Sequence, residues 1–268
     1  MSSAATPIGP ADAPLLLRED AGGIATLTLN RGPARNALSL GLMAALQDAL
    51  DAIAEDRAVR VVVLRGAGPA FCAGHDLKEM RADPGREAAA AVFRACSHLM
   101  LAITRMPQPV IAQVHGIATA AGCQLVATCD LAVCSDAARF ATPGVNIGLF
   151  CSTPMVALSR AVPRKVAMEM LLLGEPVDAA EALRIGLVNR AVPAADLDAT
   201  VRAMAARIAA KPARVLAIGK EAFGHQGELG LEEAYAYAAE VMTRNMMLAE
   251  AGEGIDAFLE KRTPTWPS

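Results

Sequence analysis

The hydrophobic pattern changes its period several times along the chain. Leu15–Glu19 and Gly23–Asn30 are short β-rich runs separated by Asp20-Ala21-Gly22, and this predicts a hairpin with a glycine-containing turn. After Ser39, a residue type that caps helices, Leu42, Leu46, Leu50 and Ile53 recur at spacings of four, four and three, the stripe of an amphipathic helix. Val59–Gly66 then carries a β-branched run, which predicts a strand buried on both faces, as in parallel sheets covered by helical crossovers. A helix near Arg86–Arg105, an apolar strand over Pro109–His115, a small-residue helix near Ala120–Cys129 and a short strand at Leu131–Cys134 continue the alternation. Beyond about Pro193 the signals are all helical: Ala195–Ala210, Ala213–Gly224, Glu228–Ala249 and Glu253–Arg262.

Strands alternating with helices predict an α/β fold with right-handed crossovers. The pattern divides the chain into a sheet-containing core over residues 15–192 and a helical section over 193–268, suited to packing against another subunit. Residues 1–14 read as a flexible leader. They hold no Arg or Lys and no apolar run, so they resemble neither a transit peptide nor a secretory signal.

Composition narrows the function classes. Of 268 residues, 54% are hydrophobic and 20% charged, against about 25% charged in ordinary domains, which excludes disorder. Aromatic residues make up 3%, so Ala, Val, Leu and Met must fill the core, and stacking platforms for nucleic acid are not expected. The stretches Met106–Cys129 and Phe140–Ser159 carry no charge, yet prolines, glycines and amides interrupt both, so neither suits a membrane span. A net charge of −3 without a basic face predicts neither a nucleic-acid nor a membrane partner. Six cysteines lie inside apolar segments and predict reduced, buried thiols in the cytoplasm. Cys123, Cys129 and Cys134 follow at intervals of six and five, which is no zinc spacing, and no metal site is expected.

Two segments concentrate small residues where a strand hands over to a helix or loop: Phe71-Cys72-Ala73-Gly74-His75-Asp76-Leu77, and His115 through Gln124. Small side chains let a ligand approach the backbone, and a helix N-terminus offers unpaired N–H groups. Two such donors aimed at one point form an oxyanion hole.

These segments, with Asn36-Ala37-Leu38-Ser39, the stretch from Gly116 to Asp130 and Phe258-Leu259-Glu260-Lys261-Arg262, resemble the enoyl-CoA hydratase/isomerase (crotonase) superfamily over about residues 15–264. Ala121-Gly122-Cys123-Gln124-Leu125-Val126 and Phe140 to Pro154 resemble a narrower subgroup, the enoyl-CoA hydratase domain-containing protein 3 type. The resemblance implies a ClpP/crotonase-like ββα spiral core with a helical C-terminal section, assembled as a homotrimer or a dimer of trimers. It implies an acyl-CoA thioester as substrate, with coenzyme A carried by the substrate and no separate cofactor. The carbonyl oxygen would be held by the backbone N–H groups of His75 and Ala121. Arg35, Ala37, Ala73 and Leu77 match positions that bind the CoA moiety. Phe258 and Lys261 match positions that reach the nucleotide from a neighbouring subunit. Asp76 flanks the first donor and is expected to cap or position its loop.

The pattern departs from the superfamily where acid/base chemistry belongs. The two glutamates of a typical hydratase match Gln124 and Gly144 here. An amide does not exchange a proton near neutral pH and glycine has no side chain, so ordinary hydration is expected to be weak or absent. Cys151 is the candidate replacement near the acyl group, and Gln124 could hydrogen-bond a water or the acyl chain. Ser152 has no G-x-S-x-G elbow around it. Decarboxylation of a malonyl- or methylmalonyl-type thioester needs the hole but no base to start it. The Ala-Gly-His-Asp and Thr-Pro-x-Val-Asn elements resemble that branch as well, although it has a tyrosine near the position of Cys151. A non-catalytic acyl-CoA-binding protein is the remaining alternative.

Overall fold

The computed structural model describes residues 13–267, and the first twelve residues of the expected leader lie outside the described residues. β1 (Leu16–Ala21) and β2 (Ile24–Leu29) form the antiparallel hairpin, and β2 then pairs in parallel with the next long strand. α1 (Leu40–Glu55) starts where its stripe says it should, with the Ser39 side chain accepting from the Leu42 N–H and Leu42, Leu46, Leu50 and Ile53 buried. From there the chain repeats one unit: a long strand, a short strand, and helix. The first unit holds β3 (Val61–Gly66), β4 (Ala70–Cys72), α2 (Leu77–Ala82) and α3 (Arg86–Arg105). The second holds β5 (Val110–Val114), β6 (Ile117–Thr119) and α4 (Ala121–Thr128). The third holds β7 (Leu131–Ser135), β8 (Arg139–Ala141), a 3-10 turn over Pro143–Ile147 and α5 (Ser152–Ala161). α6 (Arg164–Leu173), β9 (Val177–Asp178), α7 (Ala179–Arg184) and β10 (Arg190–Val192) complete the two sheets.

The long strands make a six-stranded sheet in the order β1-β2-β3-β5-β7-β10, parallel from β2 onward. The short strands make a four-stranded sheet, β4-β6-β8-β9, which is not legible in the hydrophobic pattern. Elements of two or three residues are too short to show a period. The units also start at uneven intervals, at Val61, Val110 and Leu131, so the sequence carries no repeat although the structure does.

β3 is buried on both faces, as its β-branched run predicts. Val62 and Leu64 join the main core with α1 and α3, while Val61 and Val63 pack with Ile111 and Val133 against Leu197, Val201 and Ala205 of α8 (Leu197–Ala209). The helical section thus begins as the cover of the sheet's second face. It continues through α9 (Ala213–Gln226), α10 (Leu231–Met246) and α11 (Ala249–Leu259), so the break between the two helices expected over 228–249 and 253–262 falls earlier, at Met247-Leu248. By length and composition α3 is apolar enough to cross a bilayer, but Val92, Cys96, Leu99, Met100 and Ile103 make its buried face in the core.

One lysine fastens the helical section to the core. Lys220 on α9 donates to the carbonyls of Ile103 (2.8 Å) and Gln108 (2.9 Å) and to the Asp130 carboxylate (2.7 Å), whose same oxygen accepts from the Val110 N–H. Replacing Lys220 by Met removes all three bonds and leaves two carbonyls and a carboxylate short of a donor, so we expect a loss of about 2–3 kcal/mol in urea unfolding.

Candidate active site

The first donor is oriented by strand geometry. β4 runs out into Ala73-Gly74-His75-Asp76, where His75 forms an isolated parallel bridge with Leu38. The Leu38 N–H donates to the Gly74 carbonyl (2.8 Å), and the Asp76 N–H donates to the Leu38 carbonyl (3.1 Å). Successive peptide groups in extended chain face opposite ways, so the His75 N–H points away from Leu38, and it makes no hydrogen bond among the described residues. The second donor belongs to the first residue of α4. Ala121 has no intrahelical acceptor for its N–H. Its orientation is set by Ala120, held at φ 50° and ψ −118°, a conformation that costs an alanine roughly 1–3 kcal/mol. The Ala120 N–H is tied to the Ala141 carbonyl at 2.9 Å, which keeps the strained residue in place.

Glycine lets the two segments meet. Gly74 has φ 91°, and a Cβ there would lie 2.9 Å from the Ala120 Cβ and 3.4 Å from the Ala121 nitrogen. A Cβ on Gly122 would sit 2.1 Å from the Cys72 carbonyl oxygen, so α4 rests directly on the backbone of β4. Both donors are therefore held on backbone in contact with backbone, which has little freedom to rearrange.

A polar clamp holds the first segment. Arg31 donates to the Ala37 carbonyl and to the Asp76 carboxylate (2.9 Å), linking the two strands that make the Leu38–His75 bridge. Asp76 also caps α2 by accepting from the Lys78 and Glu79 N–H groups, and Glu79 accepts from the Leu40 N–H. Burial works against ionisation of Asp76, but the Arg31 guanidinium and these N–H donors outweigh it and hold its carboxyl below the usual range. Buried Asn36, at φ 54°, donates to the Ala67 and Ala70 carbonyls and accepts from the Arg31 N–H. Arg31 and Asn36 were not among the expected site residues. Asn36 stands in the Asn36-Ala37-Leu38-Ser39 segment already singled out, whereas the only signal of Arg31 is a polar residue in a short loop after a strand, which any turn would show.

Both donor residues line a cavity of about 540 Å³. Ala73, Leu77, Met80, Phe93, Thr119 and Pro154 form part of its wall, and the loop from Pro143 to Thr153 supplies most of the rest. Ile147, Leu149 and Phe150 are apolar, solvent-exposed and on this wall, so they make the lip of the opening. No carboxylate and no Lys or Arg is among the lining residues. The ring of His75 packs edge-on against Phe93, 5.5 Å between centroids at 82°. Burial pushes its pKa below the ordinary value of 6.5, which the nearby Leu38 backbone only partly opposes.

The expected site residues are distributed as follows. His75, Ala121, Ala73, Leu77, Gly144 and Cys151 line the cavity. Arg35 and Ala37 lie on the adjoining loop, which reaches the cavity edge through the Arg35 carbonyl accepting from the Ala73 N–H (3.0 Å). Asp76 faces Arg31 rather than the cavity. Gln124 is buried and off the lining, and its side-chain oxygen accepts from Cys96 at 3.8 Å. Cys151 is a thiol rather than a thiolate: burial raises its pKa, against a weaker pull from the Gly144 backbone. Cys72, Cys96 and Cys123 are pushed up to about 12 by burial. At Gly144 a Cβ would meet the Leu149 carbonyl oxygen at 2.6 Å and the Cys151 sulfur at 2.9 Å, so the loop is packed around the missing side chain. Phe258, 82% exposed, and Lys261 lie at the end of α11 and not on the cavity wall of their own chain.

This geometry has known counterparts. The enoyl-CoA hydratase/isomerase family model matches residues 19–268. The chain belongs to that family. It is 47% identical to the rat enoyl-CoA hydratase domain-containing protein 3, mitochondrial, over 98% of this chain and 88% of the relative. The crystal structure of the human protein of that name superposes with a TM-score of 0.92 at 47% identity, covering 94% of this chain and 100% of that one. A crystal structure of an enoyl-CoA hydratase from Mycobacterium smegmatis gives a TM-score of 0.93 at 58% identity over 95% of this chain and 99% of that one. The fold is thus the crotonase fold, and the chain is of the enoyl-CoA hydratase domain-containing protein 3 type. The cytoplasmic assignment is overturned. Five vertebrate relatives of this type are named mitochondrial. Free thiols require only a compartment that keeps them reduced, which does not single out the cytoplasm.

Asp76→Asn tests the clamp. Because the folded carboxyl titrates below its unfolded value near 4, its contribution is complete above that value and lost as pH falls through the folded one. The stability advantage of the wild type over Asp76→Asn, measured by denaturant unfolding, should be full at pH 7 and disappear on acidification.

Proposed function

We propose that the protein acts on an acyl-CoA thioester by holding an enolate oxygen between the His75 and Ala121 N–H groups. The observation that carries this reading is the pair of unengaged donors on contacting backbone segments at one cavity wall. A thioester carbonyl gains negative charge as its α-carbon becomes nucleophilic, and preorganised donors stabilise that charge without needing a metal or a further cofactor. Apolar walls suit an acyl chain, and Arg35, Ala37, Ala73 and Leu77 would follow the CoA arm along the cavity edge. Phe258 and Lys261 would reach the nucleotide in an assembly. The exposed apolar side chains of α9 to α11, among them Phe223, Leu231, Tyr235 and Met247, support a homotrimer or a dimer of trimers. Light scattering should give three or six times the chain mass, and a monomer would contradict this assembly.

Ordinary hydration is not the reaction this site favours. On this reading the two acid/base positions of a hydratase, matched to Gln124 and Gly144 by resemblance, are vacant, which the Gln124 contact with Cys96 and the crowding around Gly144 support. A second reading is supported by the same wall: with no carboxylate lining it, loss of CO₂ from a malonyl- or methylmalonyl-type thioester would generate the enolate without a base. Binding without turnover is the remaining outcome.

Ala121→Pro removes one donor and should lower any acyl-CoA turnover by about 10²–10³-fold, or abolish it. Turnover unchanged in that variant would rule out the hole. Introducing glutamates as Gln124→Glu and Gly144→Glu should not create crotonyl-CoA hydration, because the second side chain collides with Leu149 and Cys151. A variant hydrating crotonyl-CoA at the rate of an ordinary enzyme, about 10 s⁻¹, would refute that account.

A further inference from the structure

Each oxyanion donor sits one residue beyond a pliable point of the backbone. His75 follows Gly74, whose φ of 91° glycine adopts at no steric cost, and Ala121 follows Ala120 at φ 50°. A peptide group is planar, so each donor N–H takes its direction from the carbonyl on the other edge of its peptide. For His75 that carbonyl belongs to Gly74 and is held by the Leu38 N–H; for Ala121 it belongs to Ala120 and is held by the Gln124 N–H at 3.0 Å. These bonds orient each donor on its own support. They do not fix one donor relative to the other.

The distance between the donors needs a tie of its own. Contact of Gly74 with Ala120 stops the two segments from coming closer, but does not stop them from parting. The parallel pairing of β4 with β6 ends at Cys72 and Ala118. Past that point the backbone bonds lead elsewhere: the Ala73 N–H donates to the Arg35 carbonyl and the Ala120 N–H to the Ala141 carbonyl. The Thr119 hydroxyl crosses the gap and donates to the Ala73 carbonyl at 3.1 Å. Among the described residues it is the one hydrogen bond that joins the two segments beyond the paired strands. Ala73 stands two residues before His75, and Thr119 stands two residues before Ala121, so the bond spans the hole at the same step along each chain segment. Thr119 and Ala73 both line the cavity and are half-buried, where a carbonyl without a donor is costly.

We propose that Thr119 is the positioning residue of the oxyanion hole, its hydroxyl setting the spacing between the His75 and Ala121 N–H groups. The inference rests on the oxyanion reading above and adds a side chain that acts through the Ala73 peptide rather than on the reacting atoms. Valine has nearly the shape of threonine but no donor. Thr119→Val therefore leaves the wall filled and releases the Ala73 carbonyl, after which Gly74 is free to turn and the donors to separate. Serine keeps the hydroxyl and loses only the methyl group. A displacement of about 1 Å between groups that must act together can cost about 10²-fold in rate.

The experiment binds butyryl-CoA, isotope-labelled at the carbonyl carbon, and isolates the carbonyl stretching band by infrared difference spectroscopy. Affinity and urea unfolding are measured on each protein alongside. In wild type two aligned donors polarise the carbonyl, so the band moves to lower frequency on binding. Thr119→Val and Thr119→Ala should each lose most of that shift, with affinity within a few-fold and any acyl-CoA turnover down about 10²-fold. Thr119→Ser should keep both shift and turnover near wild type, a rescue that filling the wall alone would not give. A full shift in Thr119→Val and Thr119→Ala would overturn the role of the hydroxyl, as would a loss in Thr119→Ser equal to that in Thr119→Val. Either result leaves the oxyanion hole standing. Wild-type protein that fails to bind butyryl-CoA, or binds it without moving the band, would overturn the oxyanion reading and this proposal with it, and so would a full shift in Ala121→Pro.

Discussion

Close approach of two stretches of backbone is the constraint on which the site depends. Residues 72–76 leave β4 and residues 119–122 enter α4, and they meet at two glycines: Gly122 rests on the Cys72 carbonyl, and Gly74 rests on the Ala120 methyl, the Thr119 carbonyl and the Ala121 nitrogen. The arrangement consumes conformational energy at Ala120, whose positive φ is tolerated because its N–H is tied to β8 and its neighbour begins a helix. Donors held in this way need not reorganise when charge appears on a bound oxygen. That is why backbone groups on packed elements serve this purpose better than mobile side chains.

Around this contact the polar residues do structural rather than chemical work. Arg31, Asn36, Asp76 and Glu79 spend their hydrogen bonds on carbonyls, on N–H groups and on each other. Their combined effect is to lock the strand pair that turns the His75 N–H outward. Lys220 does similar work on the far side of the core, joining α9 to the ends of α3 and β5. The cavity itself is left to apolar side chains, with polar chemistry confined to the backbone donors, a buried imidazole and a few hydroxyl, amide and thiol groups.

The absence of carboxylates is built into the packing. A glutamate at Gly144 would need room that Leu149 and Cys151 already fill, and Gln124 satisfies its oxygen against α3. At the two positions where the resemblance leads one to expect glutamates, the structure has a loop closed around Gly144 and a helix residue, Gln124, bonded toward α3.

Much of the scaffold was legible in the residues alone. The hairpin, the stripe of α1, the doubly buried β3 and the helical end follow from hydrophobic period, because burial of one face or two imposes that period locally. The small residues of the two donor segments were legible for the same reason, since they leave a gap in side-chain volume that no ordinary strand or helix requires. The sequence also carries Gln124 and Gly144 where the family resemblance leads one to expect glutamates. Tertiary structure alone decided the short-stranded second sheet, the covering of β3 by α8, the Arg31–Asp76 clamp, the turning of Gln124 away from the cavity and the packing of the His75 ring against Phe93. Each of these depends on which distant segments meet. Sheet pairing and close packing across tens of residues set those meetings, and a local pattern does not record them.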